Sequence, residues 1–243
     1  MLKISKKARN SRAETLDDQS KTFDPVWEEK YAAGHVQYYP WDTVVSFVFR
    51  NAPRDRPRSE IQIMEVGFGS AANLWFAARE GFKVSGVEAS SSAVDFAVSR
   101  FKREGLSGDL LVGDFTCLPF DDCSIDLVID RGSLVCVGAK AQKQAVAEVH
   151  RCLRKGGRFL HNAYGDSHSS MHTGELGADG LINNITGGTL FGVGQLHFTS
   201  RSELNSRFAD GWKLLQVQRR EWVDMLGLSS HIHAEWVVVA EKI

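Results

Sequence analysis

Between Ile61 and Asn162 the chain alternates short apolar runs with amphipathic stretches of helical period, and few folds accept that order. Ile61–Val66 reads as a strand, Ala71–Glu80 as a helix and Lys83–Glu88 as a second strand. Ser90–Glu104 follows as a helix, with Ser90 as its cap and Ala93, Phe96, Ala97 and Phe101 on one face. Asp109–Gly113 and Ile125–Asp130 are the third and fourth strands. A helix over Lys140–Leu153 is expected to end at Gly156-Gly157, before a fifth strand at Arg158–Asn162. Strand-helix alternation of this kind predicts an α/β fold, a parallel sheet with helices on both faces.

The ends of the chain depart from this pattern. Met1 to Lys21 is polar and mildly basic, without an apolar core segment, so residues 1–22 are expected to form a disordered tail. Asp24-Pro25 opens a helix that stops at Gly34, and a second helix is expected from Trp41 to Arg50. Residues 23–243 are expected to form a single domain, with 23–50 as a helical lid. Ser200–Ala209 reads as a last helix. Trp212–Glu221 and Glu235–Glu241 read as strands with too little between them for a helical crossover, which implies an antiparallel hairpin. Ala163–Phe198 has little periodicity and reads as a long loop, a substrate wall kept mobile by Gly187-Gly188, Gly192 and Gly194.

Bulk properties exclude several functions. Of 243 residues, 43% are hydrophobic and 24% charged, as in an ordinary globular domain, and a formal net charge of −1 offers no field for nucleic acid or anionic membrane. No run approaches the ~20 apolar residues of a membrane span. The four cysteines lie at uneven spacings without a C-x-x-C pair, which favours reduced thiols and a cytoplasmic setting. His168, His172 and His197 fit no zinc spacing, so no metal is expected.

Gly67, Gly69 and Ala71 lie directly after the first strand and open a helix. Glycines there let the backbone turn tightly against a ligand, while the helix start offers free N–H groups. The run also satisfies G-x-G-x-x-A, and Glu88 stands where a dinucleotide enzyme places its ribose acid, so NAD is a competing ligand. Glu65, two residues before the turn, favours a ligand carrying a cationic ammonium and would repel a pyrophosphate. Asp114 can accept from an adenine amino group and Phe115 can face the purine ring.

Glu65-x-Gly67-x-Gly69, Glu88, Gly113-Asp114-Phe115, Phe120 through Asp130 and Val149 through Phe159 resemble, in order and separation, the motifs of class I S-adenosylmethionine-dependent methyltransferases. The resemblance covers roughly Phe23 to the C-terminus. Ala71 stands where a third glycine is frequent, and Arg154-Lys155 where Lys-Pro is common. It implies a Rossmann-like, seven-stranded, mostly parallel sheet with a C-terminal antiparallel hairpin. It also implies S-adenosylmethionine as cofactor, with Glu88 on the ribose hydroxyls, Ala89 beside it and Asp114 on the adenine. Tyr31 and Trp41 would close over the cofactor, where an aromatic face attracts a sulfonium by about 1 kcal/mol.

Methyl transfer needs positioning, exclusion of water and sometimes a base, so it leaves no single signature. Asp130, ending the fourth strand, is the candidate for orienting the cofactor amine or a substrate donor, and His161, ending the fifth, the candidate general base. No Asn-Pro-Pro-aromatic tetrapeptide follows the fourth strand; the chain reads Asp130-Arg131-Gly132-Ser133. A small-molecule acceptor, methylated on oxygen or nitrogen, is therefore expected rather than nucleic acid. An NAD-dependent enzyme and a non-catalytic binding module are the alternatives.

Overall fold

The computed structural model describes residues 22–226 and 231–243. The expected tail therefore lies, save for Thr22, outside the described residues, as does the tip of the C-terminal hairpin.

Six α-helices and ten strands are present among the described residues. The main layer is β3(Asp109–Val112), β2(Lys83–Glu88), β1(Gln62–Val66), β4(Ile125–Arg131), β5(Leu153–Gly165), β10(Ile232–Lys242) and β9(Trp212–Val223), hydrogen-bonded in that order. The first five are parallel; β10 runs antiparallel to β5 and pairs antiparallel with β9. The seven-stranded sheet and its hairpin thus form as the pattern predicts. The reversal of strand order between β1 and β4 opens a crevice at the carboxyl edge, where open α/β sheets bind ligands.

The period of two along each strand gives the sheet two apolar faces. Ile63, Leu127, Ile129, Leu160 and Val237 face one way. They pack under α2(Asp42–Asn51), α3(Ala72–Arg79) and α4(Ser91–Arg103), whose Val44, Phe47, Leu74, Ala97 and Phe101 close that core. Met64, Val128, Phe159 and Val238 face the other way, under Val146 and Val149 of α5(Ala139–Cys152) and Leu204 of α6(Arg201–Arg207). Local chemistry sets the helix starts. Ser90 Oγ accepts from Ala93 N (3.1 Å), a cap contributing about 1 kcal/mol, and Ser200 with Glu203 forms a full capping box.

Two expectations are corrected. Helix α5 does not run on to the glycine pair. It ends at Cys152 and the chain enters β5 at once, because Ile125 pairs Leu153 and Leu127 then pairs Arg158, so residues 154–157 bulge outward over Gly156 (φ +77°). The 163–198 segment is not a mobile loop. It contains β6(Glu175–Leu176), β7(Leu181–Asn183) and β8(Leu196–Thr199), and β8 extends the carboxyl end of β5 through Tyr164↔Phe198. Of its glycines, Gly187 O accepts from Ser170 Oγ (2.9 Å) and a Cβ on Gly194 would collide with Asp24, while Gly192 has open space beside it. Ile182, Ile185 and Leu190 anchor the segment in the core, which is why weak periodicity did not mean mobility.

Candidate functional site

The turn after β1 is built from left-handed residues: Gly67 (φ +63°), Gly69 (φ +53°) and Ala71 (φ +56°). A Cβ on Gly67 would strike Ser133, and one on Gly69 would strike the Tyr31 hydroxyl, so neither position tolerates a side chain. Ala71 has a Cβ and adopts this conformation at a cost of roughly 1–2 kcal/mol. Glu88, at the end of β2, holds the turn. Its Oε2 accepts from Gly69 N (2.8 Å) and its Oε1 from Ser90 N (2.9 Å). Burial raises its pKa against those hydrogen bonds.

Glu65 is buried beside this turn. Asn73 Nδ2 donates to its Oε1 (2.7 Å), while its Oε2 has no partner. Burial pushes the carboxyl up to about 8, in part offset by Asn73. The orphan oxygen belongs to a residue lining a small polar chamber of about 100 Å³, shared with Asn73, Ser70, Gln37 and Arg131. An unpaired buried acceptor is costly, on the order of 1–3 kcal/mol, and calls for a donor from a ligand.

The N-terminal segment packs against this side. Helix α1(Val26–Ala32) brings Tyr31 over Gly69, Ser70 Oγ donates to Gln37 O (2.7 Å), and Trp41 N donates to Asn73 Oδ1 (3.1 Å). Asn73 therefore ties the lid to Glu65. At the other end Glu28 accepts from Ser90 Oγ (2.6 Å), fastening α1 to the start of α4.

The chamber adjoins a larger cavity of about 720 Å³ whose walls include Tyr31, Trp41, Gly67, Glu88, Ala89 and Phe115. Most of the residues picked from sequence converge here, but three do not. Asp114 is not among the residues lining the cavity; its Oδ1 accepts from Thr116 N (2.7 Å) and Thr116 Oγ1 (2.8 Å) in a local turn. Asp130 and His161 have no accessible surface. His161 Nδ1 lies 2.6 Å from Asp130 Oδ2, and its Nε2 faces Arg207 Nη1 at 3.2 Å. Burial lowers the His161 pKa and keeps the ring neutral, so Arg207 donates to Nε2 and His161 donates to Asp130. A group sealed from solvent meets no acceptor, and neither residue is retained as an acid or base. Asp130 instead positions the cavity: its Oδ1 accepts from Ser133 N (2.9 Å) and holds the turn that abuts Gly67.

Sheet order, glycine turn and strand-end acids coincide at one edge, and residues 63–157 match the family described as Methyltransferase domain. That match covers less than half of the chain, which is similar to this family over that stretch. Malonyl-[acyl-carrier protein] O-methyltransferase 1 of Coxiella burnetii (strain RSA 493 / Nine Mile phase I) is 31% identical over 97 residues, 35% of this chain and 33% of that enzyme. The match thus spans about a third of the relative's own length. Among solved structures, one described as the conversion of a disulfide bond into a thioacetal group during echinomycin biosynthesis aligns with a TM-score of 0.66. It is 19% identical and covers 92% of this chain and 93% of its own. A methyltransferase of Methanosarcina mazei aligns with a TM-score of 0.65 at 18% identity, over 84% and 99% of the two chains. These two likenesses concern the fold.

The far side of the cavity is formed by Arg131, which the sequence offered as a partner for an anionic acceptor, and by Tyr164, Arg220, Trp222, His233 and Glu235, of which Tyr164, Arg220, Trp222 and Glu235 were not singled out as site residues. Their signal was present as alternation. His233-x-Glu235 and Arg220-x-Trp222 each place two polar or aromatic groups on one face of a strand. Among the described residues no cluster of three or more His, Cys, Asp or Glu could hold a metal, and no helix is long and apolar enough to cross a membrane.

Proposed function

We propose that this chain binds S-adenosylmethionine and transfers its methyl group to the oxygen or nitrogen of a small molecule. The orphan Oε2 of Glu65 is the observation that supports this reading best. A buried carboxyl beside the glycine turn, protonated when unpartnered, would ionise against the ammonium of an amino-acid moiety and would then disfavour a dinucleotide pyrophosphate on the same turn. Glu88 retains acceptor capacity on both oxygens for ribose hydroxyls, and Ala89 with Phe115 forms the wall for the adenine. Tyr31, over Gly69, and Trp41 line the same cavity. The bound cofactor supplies an electrophilic methyl group; the protein's part is to hold the acceptor in line and keep water out.

Calorimetry with S-adenosylhomocysteine tests this. Binding to the wild type is expected, with a loss of roughly 10- to 100-fold in Glu88→Ala, the scale of one charge-assisted hydrogen bond or two. Binding of NAD in place of S-adenosylhomocysteine would overturn the reading.

A further inference from the structure

The acceptor side of the cavity is a row laid across the sheet by register. Tyr164 of β5 pairs Glu235 of β10, which pairs Arg220 of β9; two residues along, His233 pairs Trp222. Directly paired and i,i+2 residues share a face, so these five side chains project together, and all five line the cavity. Arg131 adds its guanidinium from β4, stacked 4.0 Å over the Trp41 ring. Trp41, Tyr164 and Trp222 surround one carboxylate, Glu235, and two guanidiniums, Arg131 paired to it and Arg220 held by Thr43 and Gln218.

The hydrogen bonds leading to that carboxylate have a fixed direction. Ser170 N donates to His168 Nδ1 (3.1 Å), so the proton of the neutral His168 ring sits on Nε2. Burial holds that ring near a pKa of about 4, and it stays neutral. His168 Nε2 faces His233 Nδ1 (3.2 Å) and Thr189 Oγ1 (3.3 Å), and Thr189 Oγ1 lies 2.6 Å from His233 Nδ1. The direct contact, in which His168 Nε2–H donates, makes His233 Nδ1 an acceptor and leaves the ring proton on Nε2, which donates to Glu235 Oε1 (3.3 Å). Arg131 Nη2 donates to the same oxygen (3.0 Å). Burial opposes the charge on Glu235, but His233 and Arg131 outweigh it and the carboxyl stays below its ordinary range. Its side chain is only 7% exposed, and among the described residues Oε2 has no partner.

From this geometry we propose that Glu235 is the catalytic residue that receives the acceptor's proton, and that the acceptor is a flat aromatic molecule presenting a neutral O–H or N–H. The proposal rests on the methyltransferase reading above. As the acceptor oxygen or nitrogen bonds to the methyl carbon, its O–H or N–H bond breaks and the proton passes to Glu235 Oε2. The electron pair of the methyl–sulfur bond stays on sulfur, and the carboxyl returns its proton to water when product leaves. Oε1, already holding two donors, stays the anchoring oxygen. A carboxylate on the acceptor would meet Glu235 as a like charge.

Calorimetry with 2-naphthol, 2-naphthylamine and 2-naphthoate tests this, on protein with and without S-adenosylhomocysteine. The naphthol and the amine should bind the wild type at least tenfold more tightly than the carboxylate. Glu235→Gln should weaken naphthol at least tenfold, strengthen naphthoate and leave S-adenosylhomocysteine affinity within twofold. Glu235→Asp should still exclude naphthoate, which separates loss of charge from loss of fold. Tighter binding of naphthoate, indifference of naphthol to Glu235→Gln, or no binding of any probe overturns the proposal. Failure of S-adenosylhomocysteine to bind while naphthol still responds to Glu235 would instead overturn the cofactor reading.

Discussion

Two acid–histidine pairs lie near the carboxyl edge of the same sheet and share almost nothing else. Asp130 and His161 face α5 and α6, are sealed from solvent and are hydrogen-bonded at every polar atom on the pairing side. Glu235 and His233 project from the other face, where α2 and its leading Trp41 stand off and leave a cavity. The chemistry of the side chains is alike. What separates a structural pair from an available one is which face of the pleat each residue occupies. Arg131, a single residue beyond Asp130, already lies on the open face, because successive side chains on a strand point to opposite sides.

The contrast predicts unequal responses. Asp130→Ala leaves His161 and Arg207 buried around a missing partner, a loss of about 3–5 kcal/mol. At roughly 2–4 °C per kcal/mol for a domain of this size, the melting temperature should fall by roughly 6–20 °C in scanning calorimetry. A change of a degree or two would mean that the sealed pair is not structural, and the distinction between the faces would collapse.

Glu65 sharpens the contrast, being as buried as Asp130 yet unpaired at one oxygen. Its raised pKa means that the folded protein holds a proton the unfolded chain releases near pH 4.5. Stability from this group is present below that pH and is lost as pH rises towards about 8, where the folded carboxyl must ionise in a dry site near Asp130 and Glu88. Glu65→Gln removes the loss. Its melting temperature relative to wild type should therefore rise by several degrees from pH 5 to pH 8, and a flat difference would contradict the buried, unpaired state.

The smallest effect belongs to the rim. Trp41 is 42% exposed and its main energetic contact is the stacked Arg131 guanidinium. Trp41→Ala should cost about 0.5–1 kcal/mol, a shift of roughly 1–4 °C in melting temperature. A larger drop would show that the lid is core rather than rim.

Much of this molecule is written locally. Strand and helix order from Ile61 to Asn162, the Ser90 cap and the glycine turn with Glu65 and Glu88 around it all depend on contacts within a few residues or on hydrophobic period. They were legible without coordinates. The element ends, the pinning of residues 163–198 and the retreat of Asp114 into its own turn were not, because each depends on which partner captures a backbone or side-chain group. The acceptor wall is the extreme case. Arg131 and Glu235 are 104 residues apart and meet only because β10 inserts between β5 and β9 in one register. Sliding that register by one residue would turn Glu235 to the sealed face. The sequence by itself pointed to a nucleotide-like ligand at the first turn, with Glu65 favouring one that carries a positive charge. Only the tertiary structure decided which acid looks into the cavity, since facing is set by long-range strand pairing that local pattern does not encode.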